Sequence, residues 1–220
     1  TLAPEVDGGL AMTRWLTERG HRVSLGHSDA TYETGLEAIA AGARQVTHLF
    51  NRMPPLNHRT PGLAGAALHS EDVAAEIICD GFHVHPALIA MAVAAKGPSR
   101  VMAVTDATAV AGLRPGAWAS LGGQAITAGE STARLRDGTT AGGVLTMNRV
   151  FETLVGRAGL SMVDAAMICS TTPARELGLS GSGQLTPGAV ADFVVLDGHL
   201  RVVQTYIDGQ MVYSRDPRLV

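Results

Sequence analysis

The sequence predicts an α/β fold in which parallel strands alternate with helices, as in part of a (β/α)8 barrel. Short apolar runs rich in β-branched residues are separated by helical stretches, which is the pattern of β/α units. Four of these runs lead into a polar residue suited to metal or proton chemistry, in the order His27, His48, His83 and Asp106. Their spacings of 21, 35 and 23 residues each suit about one unit. Because catalytic groups of such barrels stand at the carboxyl ends of the strands, we expect one site to collect all four.

The first half of the chain is predicted to contain five strands and three helices. Gly20 suits the left-handed turn after the first helix, and Pro86 suits the first position of the third. A polar loop over residues 51–65 takes the place of an immediate helix after the third strand, and loops of that length are usually functional or mobile. The strands are predicted at residues 1–4, 21–25, 45–48, 74–79 and 100–105, and the helices at 6–19, 30–41 and 86–95.

The pattern changes after Gly112. Short β runs at residues 117–121, 124–128 and 132–135, parted by glycines, predict an antiparallel insertion over about residues 113–140, followed by a turn at Gly142-Gly143. Helices then return, and the chain ends in a β meander with a hairpin turn at Asp208-Gly209. These helices are predicted at residues 146–158, 161–169 and 173–177, and the meander strands at 191–196, 200–207 and 210–213.

This series of elements predicts the later part of a larger two-domain enzyme. A closed barrel needs eight parallel strands and about 250 residues, and the chain supplies five strands. We therefore expect residues 1–185 to be strands four to eight of a barrel, with the β insertion. Residues 186–220 are expected to be the closing strands of a small β-sandwich domain. Because residues 1–4 resemble a strand that already has neighbours, we also expect the chain to start in mid-fold.

Composition excludes several classes of partner. The formal charge of −3 and only 17 scattered Lys and Arg residues argue against nucleic-acid binding, which needs clustered positive charge. No apolar run approaches the roughly 20 residues of a membrane span. The two cysteines, Cys79 and Cys169, are expected to be reduced thiols of a cytoplasmic protein rather than a disulfide framework.

The polar residues at the strand ends predict a metal-assisted hydrolytic site. Two histidines and a carboxylate bind zinc and leave a position for water, although either His27 or His48 alone would more often be an ordinary histidine. Asp106 suits a general base, or else a cap of the following turn. His83 suits a third metal ligand or a hydrogen-bond donor to the substrate. A loop Arg at position 59 offers a planar fork for a phosphate or carboxylate, or else is simply solvated.

Motifs along nearly the whole chain give these residues a context. The relevant stretches, in chain order, are Leu2-Ala3-Pro4-Glu5, Gly26-His27-Ser28-Asp29-Ala30-Thr31, Thr47-His48-Leu49-Phe50-Asn51, Arg59-Thr60-Pro61-Gly62-Leu63-Ala64-Gly65, Asp80-Gly81-Phe82-His83, Val104-Thr105-Asp106-Ala107 and Leu145-Thr146-Met147. In these stretches, taken together, the chain resembles the N-acetylglucosamine-6-phosphate deacetylases of the amidohydrolase superfamily.

The resemblance implies a role for each candidate residue. His27 and His48 would bind a catalytic divalent metal, with zinc expected and Fe, Mn, Co or Cd as alternatives, and Asp106 would accept and donate the proton. The family's metal-binding Glu belongs to a strand that would precede Thr1, so Glu5 is not its equivalent. The residues present leave both one metal ion and two metal ions possible. The substrate-binding residues would be Asn51, the backbone of Arg52, Arg59, His83, Thr140, Ala141 and Gly142. Arg59 would contact the phosphate of the sugar. If the enzyme is a homodimer, that sugar would be the one bound in the neighbouring subunit.

Two departures from the family pattern bear on the sugar. Arg52 stands where a small residue is common, and residues 141–144 replace a more Ser-rich turn. The alternatives to the deacetylase are another metal amidohydrolase, acting on a cyclic amide or an N-acyl amino acid, and a catalytically inactive fragment that lacks the upstream Glu.

Overall fold

A computed structural model of the chain describes residues 1–219. It contains seven α-helices and eleven strands in three sheets. The helices are α1 (Gly9–Glu18), α2 (Tyr32–Ala40), α3 (Gly62–His69), α4 (Pro86–Lys96), α5 (Met147–Gly156), α6 (Met162–Ala166) and α7 (Thr172–Glu176), with a π-helix over Met167–Thr171 between the last two. The strands are β1 (Ser24–Leu25), β2 (Gln45–Val46), β3 (Ala74–Ile78), β4 (Val101–Val104), β5 (Trp118–Leu121), β6 (Gln124–Ala128), β7 (Thr132–Leu135), β8 (Thr140–Gly143), β9 (Phe193–Leu196), β10 (Val202–Ile207) and β11 (Gln210–Ser214).

The first sheet is parallel, in the order β1-β2-β3-β4, so neighbours in sequence are neighbours in space. Its two faces differ. Side chains that alternate along the strands, such as Leu25, Val46 and Ile77, pack with α2 to α5 in the main apolar core. The intervening residues face the other way and include Ser24 and Glu76. The helices therefore cover one face of the sheet, and the other face carries polar groups.

The prediction of five parallel strands is wrong in one respect. Residues 1–4 make a single parallel bridge, Leu2 to Leu25, in which the Leu2 N–H donates to the Ser24 carbonyl at 3.0 Å. A turn begins at Pro4 and prevents further pairing, so four strands and one bridge stand where five strands were expected. The first helix is likewise shorter than predicted and starts at Gly9, because Gly8 takes a left-handed φ of 78°.

The loop after β2 is also shorter than predicted. Helix α3 begins at Gly62, inside the residues 51–65 that we expected to be loop. Its sequence is mostly Gly, Ala and Leu and is almost wholly buried, so it lacks the polar and apolar alternation of a surface helix. The gap between β2 and β3 thus contains the helix of a complete β/α unit.

The antiparallel insertion has four strands rather than three. Residues 140–143, which include the expected turn at Gly142-Gly143, form β8 and pair with β7. Gly143 also bridges in parallel to Ala107, three residues beyond the end of β4, and the Gly143 N–H donates to the Asp106 carbonyl at 2.7 Å. The insertion, which spans Trp118–Leu121 to Thr140–Gly143, is therefore attached at the carboxyl end of the parallel sheet. The third sheet is the predicted meander, with the order β11-β10-β9.

Two further expectations concern the cysteines and membranes. Cys79 and Cys169 are both free thiols, and burial raises the pKa of Cys169 to about 12. Among the helices within residues 1–219, none has the length and apolar character that a membrane crossing requires.

The Gly143 contact generates a stability prediction. A Cβ at this position would collide with the Thr105 carbonyl oxygen, which belongs to backbone and cannot turn aside. We expect Gly143→Ala in the full-length protein to lower the free energy of unfolding by about 1–3 kcal/mol, measured by urea denaturation.

Gly156→Ala is the matched control, because a Cβ there meets nothing within 4 Å and Gly156 lies in helix α5. It should leave stability unchanged or raise it slightly. Equal stability of the two variants would contradict the proposed role of Gly143 as the attachment point.

Candidate metal and hydrolytic site

His27 and His48 meet at the carboxyl end of the parallel sheet. Each lies two residues beyond its strand, β1 or β2, and their Nε2 atoms are 2.9 Å apart. The rings are tilted by 51° with centroids 4.8 Å apart. His48 is 6% exposed, while His27 is open to solvent. The spacing of 21 residues thus brings the two predicted ligands together.

The backbone at this edge is unusual. His27, His48 and Asp106 all have positive φ angles, of 51°, 30° and 50°. Non-glycine residues rarely occupy this region, at a cost of about 1–3 kcal/mol each, and such residues cluster at functional sites. The positive φ turns each chain sharply out of its strand and directs three polar side chains to one edge of the sheet.

The charges around His27 favour its neutral ring. Burial lowers the pKa of His27, and the nearby His48 ring and Arg52 guanidinium lower it further, against an opposing effect of Asp106. A neutral imidazole is the form that binds a metal. The lowered pKa of His27 therefore favours the form of the ring that can bind a metal.

The pair fits a divalent first-row metal. The two Nε2 atoms lie 2.9 Å apart, which is close enough for both imidazoles to bind one ion once neither nitrogen carries a proton. His48 Nδ1 is buried and has no hydrogen-bond partner within residues 1–219. In the same part of the chain, no three His, Cys, Asp or Glu side chains form a complete metal site. The pair thus offers two candidate nitrogen ligands.

Asp106 follows β4 and is exposed. Its charge acts on both His27 and Glu76, so the carboxylate lies near the histidine pair. The insertion packs against it: a Cβ on Gly142 would be 2.7 Å from the Asp106 carbonyl oxygen and 3.4 Å from Oδ2. Gly142 also has a φ of 85°. Of the three predicted pocket residues in β8, Gly142 is thus the one in contact with Asp106, and Thr140 and Ala141 lead to it.

His83 is held by Asp80 rather than by the histidine pair. Asp80 Oδ1 accepts the N–H groups of Phe82 and His83, each at 2.8 Å, and Oδ2 lies 2.6 Å from His83 Nδ1. Burial alone would raise the pKa of Asp80, but these hydrogen bonds outweigh it and the pKa lies below its usual value. Because the carboxylate only accepts, Nδ1 carries the proton and Nε2 is left free for a ligand.

The loop after His48 separates the remaining candidates. The Asn51 N–H donates to the His48 carbonyl at 2.9 Å, and the Arg52 carbonyl accepts the Ser28 N–H at 3.0 Å. These contacts place both residues beside the histidines. Arg59 is exposed and lines a different cleft, of about 470 Å³. That cleft is formed by residues 29–33, 54–55, 57 and 59–62.

Sequence reasoning missed several supporting residues. Glu5 Oε2 accepts the Ser28 hydroxyl and Oε1 accepts the Asp29 N–H, both at 2.6 Å, and this holds the loop after His27. Glu76 lies near His48 and Asp106, and burial raises its pKa. The signal for Glu76 was present, as a lone carboxylate in the apolar run 73–79.

Comparison with known proteins identifies the family of the chain. Residues 19–212 match the model of the amidohydrolase family. The chain belongs to the amidohydrolase family. It is 39% identical over 211 residues to the N-acetylglucosamine-6-phosphate deacetylase of Lysinibacillus sphaericus, covering 96% of this chain and 54% of that protein. It is 37% identical to the N-acetylgalactosamine-6-phosphate deacetylase of Escherichia coli O157:H7, over 96% of this chain and 55% of that protein.

The chain is also similar to solved structures of deacetylases. A mutant N-acetyl-D-glucosamine-6-phosphate deacetylase from Mycobacterium smegmatis, in complex with N-acetyl-D-glucosamine-6-phosphate, superposes with a TM-score of 0.90 at 39% identity. The match covers 97% of this chain and 57% of that one. The chain therefore spans little more than half the length of the relatives it resembles.

The Asp80 contacts generate a prediction of pH-dependent stability. Asn at position 80 would place an amide N–H₂ opposite the protonated Nδ1 of His83, so we expect Asp80→Asn to lose about 1–3 kcal/mol of stability at pH 7. The pKa of Asp80 is lowered in the folded state, so its contribution is complete above the ordinary value of 3.8. It disappears as the pH falls through the lower, folded-state pKa.

Urea denaturation of both proteins between pH 3 and pH 7 measures this difference. The exposed Asp7 offers the control substitution Asp7→Asn, which should leave stability unchanged at every pH. A deficit of Asp80→Asn that stayed constant down to pH 3 would show that the carboxylate charge is not responsible.

Proposed function

We propose that the protein containing this chain is a metal-dependent deacetylase. It hydrolyses the acetamide of N-acetylglucosamine 6-phosphate to acetate and glucosamine 6-phosphate, a reaction of amino-sugar catabolism and cell-wall recycling. The observation that carries the proposal is the meeting of His27, His48 and Asp106 at one strand edge. Relatives named for this reaction match along nearly all of the chain and support it.

In this proposal His27 and His48 hold a divalent metal, with zinc as the expected ion. When bound by these two histidines, such an ion would provide Lewis-acid chemistry towards the acetyl carbonyl and the attacking water. Asp106 takes a proton from the attacking water at a carboxylate oxygen and returns it to the leaving amine nitrogen. The insertion strand that touches Asp106, with Thr140, Ala141 and Gly142, lines the space around the acetyl group.

The phosphosugar is bound by residues around this centre. Asn51 and the backbone of Arg52, which lie next to the histidines, contact the phosphate, and His83 contacts the sugar through its free Nε2. Arg59 lines a cleft whose lining includes neither histidine, so we propose that it serves the site of the second subunit in a homodimer. The two cysteines, which are free thiols in the described residues, are consistent with the reducing, cytoplasmic location that we propose.

The architecture of the whole protein is part of the proposal. The sequential parallel order of β1 to β4 supports a segment of a (β/α)8 barrel over residues 1–185, with Leu2 at the position of one further strand. The terminal sheet within residues 186–220 would be completed by strands from elsewhere in the protein. The exposed Val194, Ile207 and Val212 on that sheet support a missing partner layer.

A substrate comparison tests the function. The zinc-loaded full-length protein should release acetate from N-acetylglucosamine 6-phosphate at least a hundredfold more efficiently than from N-acetylglucosamine, because only the former engages the phosphate contacts. The kcat/KM of acetate release is the measurement. N-acetylgalactosamine 6-phosphate is the third substrate, since relatives of both names match.

Equal efficiency with and without the phosphate, or hydrolysis of cyclic amides alone, would place the protein elsewhere in the amidohydrolase family. A preference for N-acetylgalactosamine 6-phosphate would change the proposed substrate but not the proposed reaction.

Asp106→Asn tests the proton-transfer role. The amide cannot accept a proton, so we expect kcat to fall by about 10²–10⁴-fold while the bound zinc per protein stays the same. Turnover and metal analysis are measured together, with Asp7→Asn as the exposed control. Near-normal turnover of Asp106→Asn would exclude this role.

A further inference from the structure

The antiparallel insertion has a small apolar core of its own. Ile126, Ala128 and Ala133 of β6 and β7 pack with Val110, and in the part of the chain that the structure describes this cluster shares no residue with the main core under the helices. Burial in the main core therefore does not hold the insertion against the parallel sheet. Specific contacts must do so.

One attachment lies at the last residue of β8. The Thr108 N–H donates to the Gly143 carbonyl at 3.2 Å, and the Gly143 N–H donates to the Asp106 carbonyl at 2.7 Å. The preceding residue, Gly142, lies against Asp106, since a Cβ there would be 3.4 Å from its Oδ2 atom. This attachment therefore keeps one end of β8 beside the candidate general base.

A second contact lies toward the other end of β8. Arg134 of β7 pairs with the first residue of β8. Its neighbours Ala133 and Leu135 pack in the core of the insertion, so Arg134 projects from the opposite face. There its guanidinium carbon lies 5.8 Å from the centre of the Phe82 ring, which is within the range of a cation–π interaction. Arg134 Nη1 also donates to the Gly138 carbonyl at 2.9 Å, which orients the guanidinium.

Phe82 belongs to the loop that carries His83. The Phe82 N–H is fixed by Asp80 Oδ1, and its ring meets the His83 ring edge to face with centroids 5.7 Å apart. The ring is 47% exposed, which is unusual for a large apolar side chain unless it has a contact to make. Phe82 thus joins Arg134 of the insertion to the loop after β3.

We propose that Arg134 is a positioning residue, which holds the insertion over the candidate site through the ring of Phe82. With both contacts in place, β8 is attached near each of its ends, and Gly142 between them stays beside Asp106. Without the Phe82 contact only the Gly143 end is attached, so the insertion separates more often from residues 105–108. The importance of this wall for catalysis rests on the proposed function, but the attachment itself is measured without substrate.

Amide hydrogen exchange in the full-length protein, resolved residue by residue, measures the attachment. The Thr108 and Gly143 amides bond across it, whereas the Ala128 amide bonds to the Ala117 carbonyl inside the insertion. We expect Phe82→Leu to speed exchange of the two attachment amides about 2–5-fold, the effect of one cation–π pair at an exposed site. Exchange of the Ala128 amide should stay unchanged. Phe82→Tyr keeps the aromatic ring and should exchange as the parent does.

Arginine variants complete the test. Arg134→Met should speed exchange of the attachment amides as Phe82→Leu does. The double variant should be no faster than Arg134→Met alone, because both changes remove the same contact. Arg136→Met is the matched control, since Arg136 is exposed two residues further along the chain, and it should leave exchange unchanged.

Three results would overturn the proposal. The first is unchanged exchange of the Thr108 and Gly143 amides in Phe82→Leu. The second is equal acceleration at Ala128, which would show that the insertion itself is destabilised. The third is an additive effect of the Phe82 and Arg134 changes. If the parent protein releases no acetate while exchange changes as expected, the deacetylase proposal is wrong and the role of Arg134 in holding the insertion stands.

Discussion

The site depends on one backbone constraint, the left-handed conformation of the residues that leave the parallel strands. His27, His48 and Asp106 each cost the fold about 1–3 kcal/mol in this conformation, so local contacts must hold them there. For two of them the contacts are backbone hydrogen bonds: the Asn51 N–H donates to the His48 carbonyl, and the Gly143 N–H of the insertion donates to the Asp106 carbonyl. The strand edge, the loop after β2 and the insertion are thus coupled, and none can be displaced without releasing a site residue.

The two faces of the parallel sheet differ in role: one stabilises the fold by packing, and the other carries polar groups. The face under the helices is closely packed and apolar, and its burial supplies most of the stabilising free energy of this part of the fold. The other face carries hydroxyls and Glu76, which a stabilising core alone would not select. Because the two faces alternate residue by residue, a one-residue shift of any strand would exchange them. The apolar core therefore fixes the register that places the histidines.

The strand-end residues were predictable from sequence because a parallel strand is a short apolar run and its carboxyl end is a defined position. His27, His48 and Asp106 follow from that pattern, and the structure brings them to one edge. Helix α3 was not predicted from the sequence, since a buried Gly- and Ala-rich helix has no polar face to mark it. Strand β8 was not predicted either, because Gly142 and Gly143 are residues typical of turns. In the structure these glycines instead allow β8 to approach residues 105–106 closely.

The two glycines of β8 also limit how the pocket can vary. A side chain at Gly142 would approach the Asp106 carbonyl oxygen and the Thr108 methyl at 2.7 and 2.6 Å, and one at Gly143 would strike backbone. In this structure both glycines are therefore required by the close approach of β8 to residues 105–108. The flanking positions 140, 141 and 144 are not restricted by that approach in the same way. In the proposed enzyme, side chains at these flanking positions would be the ones free to vary near the acetyl group without displacing the backbone that holds Asp106.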